Sequence, residues 1–212
     1  MALTKITGEG VGSLDAIIIG DGTAADKKIL FDGNAQDFHI GLDDSVDSLT
    51  IGLGSTLGTT SHMVIDSTGA ITKPLQPAFL VTKSDNQTNI TAGGAAQTIT
   101  FDTEVFDQNA DFSSNTFTAP VDGKYQLQFI LSVSQIDLDA TQINFRLTTS
   151  NRNIQFFLDP KVFDTDSGFF PLGISALADM DANDTCIVAF VYDGGSQTDV
   201  AAESHFSGYL VC

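Results

Sequence analysis

Tryptophan is absent, and only two cysteines occur in 212 residues. Lysine and arginine together number nine, against 27 acidic residues, for a net charge of −18. So few cations cannot build a phosphate-neutralising face, which excludes nucleic-acid binding. The acids are dispersed, with no block or tail, and read as self-repelling, solubilising charge. No run approaches the roughly 20 apolar residues of a membrane span. The opening Met-Ala-Leu-Thr-Lys-Ile-Thr-Gly-Glu-Gly also lacks the apolar core of a signal peptide. These absences predict no membrane insertion and synthesis in a cytoplasm.

Catalytic signatures are missing too. His39, His62 and His205 are scattered. There is no Gly-x-Ser-x-Gly elbow, no phosphate-cradling glycine loop and no Cys-x-x-Cys pair. Cys186 lies in the apolar run Cys-Ile-Val-Ala-Phe-Val, where a thiol behaves as a small hydrophobe, and Cys212 is the last residue. Cytoplasmic synthesis argues for two free thiols. The expectation is a protein that is not an enzyme and needs no cofactor.

What is present points to strands. Glycine numbers 19 and phenylalanine 16, hydrophobic residues make up 42%, and charged residues only 17%. That balance fits short strands joined by turns, with a core filled by rings. Residues 1–73 repeat one texture, in which short apolar runs end in Gly- or Asp-rich turns. Examples are Ile-Ile-Ile-Gly-Asp-Gly at 17–22, Ile-Leu-Phe-Asp-Gly at 29–33, His-Ile-Gly-Leu-Asp-Asp at 39–44, Leu-Thr-Ile-Gly-Leu-Gly at 49–54 and Met-Val-Ile-Asp-Ser-Thr-Gly at 63–69. Strands this short carry too little side-chain volume to enclose a core in one copy. Several copies supplying one another's missing faces, along an oligomer axis, would solve this. A stiff connector at 74–77, bounded by Pro74 and Pro77, then marks a boundary.

Residues 78–212 read as about eight strands, the number expected of a sandwich or jelly roll. The longest alternation runs from Tyr125 to Val133. Two doublets, Phe156-Phe157 and Phe169-Phe170, place adjacent rings on opposite faces of a strand. One ring of each pair would face water in a lone copy, so a neighbouring subunit is expected to cover it. Candidates for core or interface are Phe117, Tyr125, Phe129, Phe156, Phe157, Phe169, Phe170 and Tyr209.

Phe101, Asp107, Phe112, the stretch Phe117-Thr-Ala-Pro-Val-Asp-Gly-Lys-Tyr-Gln-Leu-Gln-Phe129, and the closing Ser204-His-Phe-Ser-Gly-Tyr-Leu210 resemble the globular head of complement component 1q. That family shares its jelly roll with tumour necrosis factor. The pattern departs in a loop shortened between Phe112 and Phe117, and in Leu127 standing where an aromatic is usual. The resemblance implies an all-β jelly-roll sandwich that assembles as a trimer, preceded here by the β-rich N-terminal stem. It also implies a calcium position at Asp179, although the partner acidic position falls on Pro171. Asp179, Asp181 and Asp184 are therefore the metal candidates; Asp43, Asp44 and Asp47 form a second acidic group in the stem. The stem itself is similar to Gly-Asp-rich segments of bacteriophage tail fibres, especially in its Ile-Asp-Ser-Thr-Gly-Ala-Ile-Thr-Lys-Pro ending.

Together these readings predict a homotrimeric structural protein of a virion. The stem would hold it to other virion proteins, and a head at 78–212 would contact a host-surface glycan or protein. The appendage is expected to be a tail fibre or receptor-binding tip, with a capsid-decoration or head-fibre trimer as the alternative. A secreted binding module of complement 1q type is the second alternative. Recognition is expected in the head loops at 107–116, 135–142, 159–168 and 193–203, because loops on a rigid scaffold carry recognition.

Overall fold

The computed structural model describes residues 16–91 and 93–212. Residues 1–15 of the expected stem lie outside the described residues. The chain forms two compact units, divided between Pro74 and Leu75.

In the first unit, five strands form an antiparallel meander: β1 (Lys27–Phe31), β2 (Phe38–Asp43), β3 (Ser48–Leu53), β4 (Ser61–Ile65) and β5 (Ile71–Thr72). Aspartates set its turns. Asp43 accepts from the Ser45 backbone N–H at 3.1 Å, and Asp66 accepts from those of Thr68 at 2.8 Å and Ala70 at 3.0 Å. The expected strand at Ile17–Ile19 does not form. Among the described residues it has no ladder partner, and its three isoleucines are exposed.

The alternation of this sheet is inverted for a lone copy. His39, Asp43, Ser48 and Thr50 are buried, while their apolar neighbours on the other face are not. The polar face is sealed by the loop at 54–60. The buried Leu57 of that loop comes so close to Gly41 that a Cβ there would meet its Cδ2 at 2.9 Å. His39 donates to the Gly54 carbonyl through Nδ1 at 2.8 Å, leaving Nε2 without a partner among the described residues.

The second unit is a sandwich. Its first strands are β6 (Ala78–Thr82), β7 (Gln87–Ile90), β8 (Gly93–Thr98), β9 (Thr103–Asp107), β10 (Phe112–Ser113) and β11 (Thr116–Thr118). The longer β12 (Gly123–Ile136), β13 (Ala140–Thr149), β14 (Asn153–Leu158), β15 (Ser167–Met180) and β16 (Thr185–Gly194) follow. Then come β17 (Thr198–Val200) and β18 (His205–Leu210). One sheet runs β7-β17-β12-β18-β6-β9, with β15 also paired to β12; the other runs β10-β11-β16-β13-β14, with β8 on β16. Every pairing is antiparallel.

Between the sheets lies a ring-rich core. Phe79 stacks on Phe117 at 4.8 Å and meets Phe206 edge-on at 5.0 Å, while Phe145 stacks on Phe190 at 4.7 Å. Tyr125, Leu127, Phe129, Leu131 and Val133 of β12 all point into it and are fully or nearly fully buried. A chain without tryptophan thus fills its core with alternating phenylalanine, tyrosine and aliphatic side chains. The stretch from Leu172 to Met180, where a helical stripe nearly fits, is strand; its alternation wins because Leu172, Ile174 and Ala176 reach the core.

Candidate functional site

The corner that starts β12 is built from short bonds. Ala119 donates to the Asp184 carbonyl and accepts from the Asn183 N–H, while Asp122 accepts from the Ala182 N–H. The Tyr125 hydroxyl reaches back to the Val121 carbonyl at 2.8 Å. Gly123 is needed for the close approach of the chain end: a Cβ would stand 2.5 Å from Leu210 Cδ1 and 2.9 Å from the Cys212 carbonyl oxygen. Asp107 accepts from the Asp111 and Phe112 backbone N–H groups at 3.0 and 2.9 Å. The residues that carry the motif therefore act as architecture.

The same corner holds the metal candidates. Asp179 pairs with Arg152 at 2.6 Å, both partly exposed. Its carboxyl lies below the ordinary carboxylate range, chiefly through its own backbone N–H and further through Arg152. Asp184 accepts from Asn151 Nδ2 at 2.7 Å and from the Asp181 backbone N–H at 2.9 Å. Two of the three carboxylates are thus already engaged, Asp184 in closing the turn and Asp179 in an ion pair with Arg152. Among the described residues no group of three or more His, Cys, Asp or Glu is placed to hold a metal ion.

Of the core or interface candidates, Phe117, Tyr125 and Phe129 are buried in the sandwich. Phe170 is half-buried and packs edge-on against Phe163 at 5.0 Å, while Phe169 of the same doublet points to solvent. The other doublet departs from expectation, because Phe156 and Phe157 are both about half exposed. Phe156 lies opposite the buried Phe145, but β14 is the last strand of its sheet and the core ends beneath it. Tyr209 is exposed on β18.

Tyr209 belongs to a larger surface, the outer face of the sheet containing β12. Across that sheet Leu177, Gln126 and Tyr209 form one row, and Ser175, Gln128 and Ser207 form the next. Gln126 donates to Ser175 at 2.8 Å, and Gln128 donates to Ser207 at 3.2 Å. Ile130 follows, opposite Gly173, and a groove of about 360 Å³ lies here between Gln128, Ile130 and Pro171. Leu177, Tyr209 and Ile130 are 62%, 53% and 46% exposed. These rows are neutral in a chain of net charge −18. Gln126, Gln128, Ile130 and Leu177 were not singled out from the sequence; the signal was available in the second set of alternating positions of β12 and β15.

A second concavity, of about 370 Å³, lies where the loops at 135–142 and 159–168 meet the strands. The ring of Phe157 stands in its wall with Thr141, Gln142, Asp159 and Lys161. An apolar platform beside several hydrogen-bonding groups is a chemistry suited to a polar, ring-shaped ligand.

Residues 78–211 match the C1q domain family. The chain belongs to that family. The globular domain of zebrafish complement 1qA is a solved structure similar to it, with 21% identity and a TM-score of 0.50 over 65% of this chain and 98% of that one. Murine APRIL at pH 8.5 is also similar, with 7% identity and a TM-score of 0.45 over 64% of this chain and 99% of that one. No curated protein matches the chain. The C1q domain of this chain accordingly keeps the sandwich and its Phe-rich core. The N-terminal unit lies outside the match.

Proposed function

We propose that the chain is a homotrimeric, non-enzymatic structural protein of a bacteriophage virion, with a C1q head that contacts the host surface. The observation that carries the self-assembly is the outer face of β12, β15 and β18. Neutral Gln–Ser rows edged by Leu177, Tyr209 and Ile130, with the opposite charges of Lys124 and Asp179 in the next row, suit a subunit seam, because copies charged at −18 approach at least cost through uncharged rows. Phe169, exposed at the end of β15, extends the apolar margin.

Attachment to a virion rests on the repetitive Gly-Asp texture of residues 1–73 and its tail-fibre likeness. In this reading the N-terminal unit holds other virion proteins, as a tail fibre, a receptor-binding tip or a capsid decoration. The concavity beside Phe157 is the place we assign to a host glycan, since it sits in two of the head loops and pairs a ring with polar groups. A secreted C1q binding module is the second reading, and the C1q match favours it equally. Native mass spectrometry of the full chain tests the trimer, and a monomer overturns the assembly reading. Antibody labelling of intact phage particles tests the virion role; particles of the producing phage that remain unlabelled on tail and capsid overturn it.

A further inference from the structure

Among the described residues, the five-stranded sheet of the first unit leaves its apolar face bare. Ile29, Ile40, Ile51 and Met63 stand opposite one another across four strands. A second row runs Phe31, Phe38, Leu53, and a third runs Leu42, Leu49, Ile65, Ile71 behind Lys27. Eight of these side chains are between 37% and 60% exposed.

In an antiparallel sheet, strict alternation marks the face meant for a core. Here that face is the apolar one, yet a single chain puts nothing on it among the described residues. The polar face is already partly covered, since the loop at 54–60 lies over it. Eight large apolar side chains exposed side by side across adjacent strands make one contiguous apolar patch. A lone soluble subunit seldom shows a contiguous patch that large.

We infer that this face is a seam between copies of this chain, its apolar rows packed against the same rows of neighbouring protomers. Lys27 at one end is the only charged residue in the three rows, so identical copies meet without like-charge repulsion. In a trimer, three such sheets turned inward enclose one core. The inference rests on the trimeric reading above and assigns it a second contact, independent of the head.

Crosslinking of the full chain tests it. Ile51→Cys is placed in a Cys212→Ser background, with Lys28→Cys, exposed on the opposite face, as the control. A bismaleimide of about 10 Å reach matches the spacing of packed sheets. Inter-chain products are expected from Ile51→Cys and not from Lys28→Cys. Ile40→Asp should raise amide exchange across β3 about tenfold, as an uncovered sheet opens locally, and leave β12 unchanged. A native trimer that gives no inter-chain product at Ile51→Cys overturns the seam while the trimeric reading stands. A native monomer overturns both.

Discussion

The hydroxyl of Tyr125 donates to the carbonyl of Val121, four residues earlier, at 2.8 Å. The bond closes the corner that launches β12, and β12 in turn pairs with β15, β17 and β18. Tyr125→Phe keeps the ring in the core and deletes only that bond. The expected cost is about 1 kcal/mol, with the fold retained. Chemical denaturation of the two proteins, compared at equal slope, measures it; an unchanged midpoint would show that the corner holds without the bond.

Gly208 lies in the middle of β18, opposite Leu127. A Cβ there would stand 2.5 Å from Leu127 Cδ2, 2.9 Å from Phe79 Cε1 and 3.1 Å from the Gln126 carbonyl oxygen. Two of these belong to buried core side chains and the third is backbone, so none can swing away. Gly208→Ala should destabilise by roughly 1–3 kcal/mol through overpacking. Thermal unfolding should show a lower Tm, and a rise would refute the packing account.

The two cysteines should react very differently. Burial pushes the Cys186 thiol up to about 12, whereas Cys212 is exposed. Because the thiolate is the reactive form, iodoacetamide at pH 8 should modify one thiol per native chain and two after denaturation. Mass spectrometry counts the adducts. Native modification of Cys186 would mean that its strand opens readily.

Acid sensitivity should come from turn aspartates. Asp102 accepts from the Ser84 hydroxyl and backbone N–H, each at 2.7 Å, and the hydroxyl foremost holds its carboxyl below the ordinary value. A folded value below the unfolded one contributes stability above the ordinary carboxylate range, lost as pH falls through the lowered folded value. Asp137, held chiefly by the Asp139 N–H, has the same sign. Tm should therefore fall below about pH 4, and Asp102→Ala should shrink that fall. A drop of the same size in Asp102→Ala would remove Asp102 from the account.

Asp111 has the opposite sign. Burial and then the neighbouring Asp107 raise its carboxyl. Its contribution is complete below the ordinary carboxylate value and is lost as pH rises through the raised one. Asp111→Asn should raise Tm at pH 7 relative to the parent, and the difference should vanish near pH 3. A lower Tm at pH 7 would show that the ionised carboxylate is stabilising.

Much of the head was legible because its signals are local. Tyr125, Leu127 and Phe129 alternate, the Ala-Pro-Val-Asp-Gly corner precedes them, and Ser-Gly-Tyr closes the chain; each acts through neighbours within a few residues or one strand away. The exposure of both Phe156 and Phe157 was not legible. Strand order decides it, since only in the sheet does β14 become an edge. The neutral rows of Gln126 and Gln128 were hidden for the same reason, as their meaning depends on which strands stand beside β12.

For the first unit the sequence by itself determined short strands, their turns and a shortage of enclosed core. Alternation and turn chemistry are properties of consecutive residues, and they suffice for that much. Only the tertiary structure decided which face stays bare. The loop at 54–60 lies on the polar side with Leu57 buried beneath it, so Ile29, Ile40 and Ile51 are left outward. A covering loop acts across the sheet, between residues far apart in the chain, and no local pattern records which side it will take.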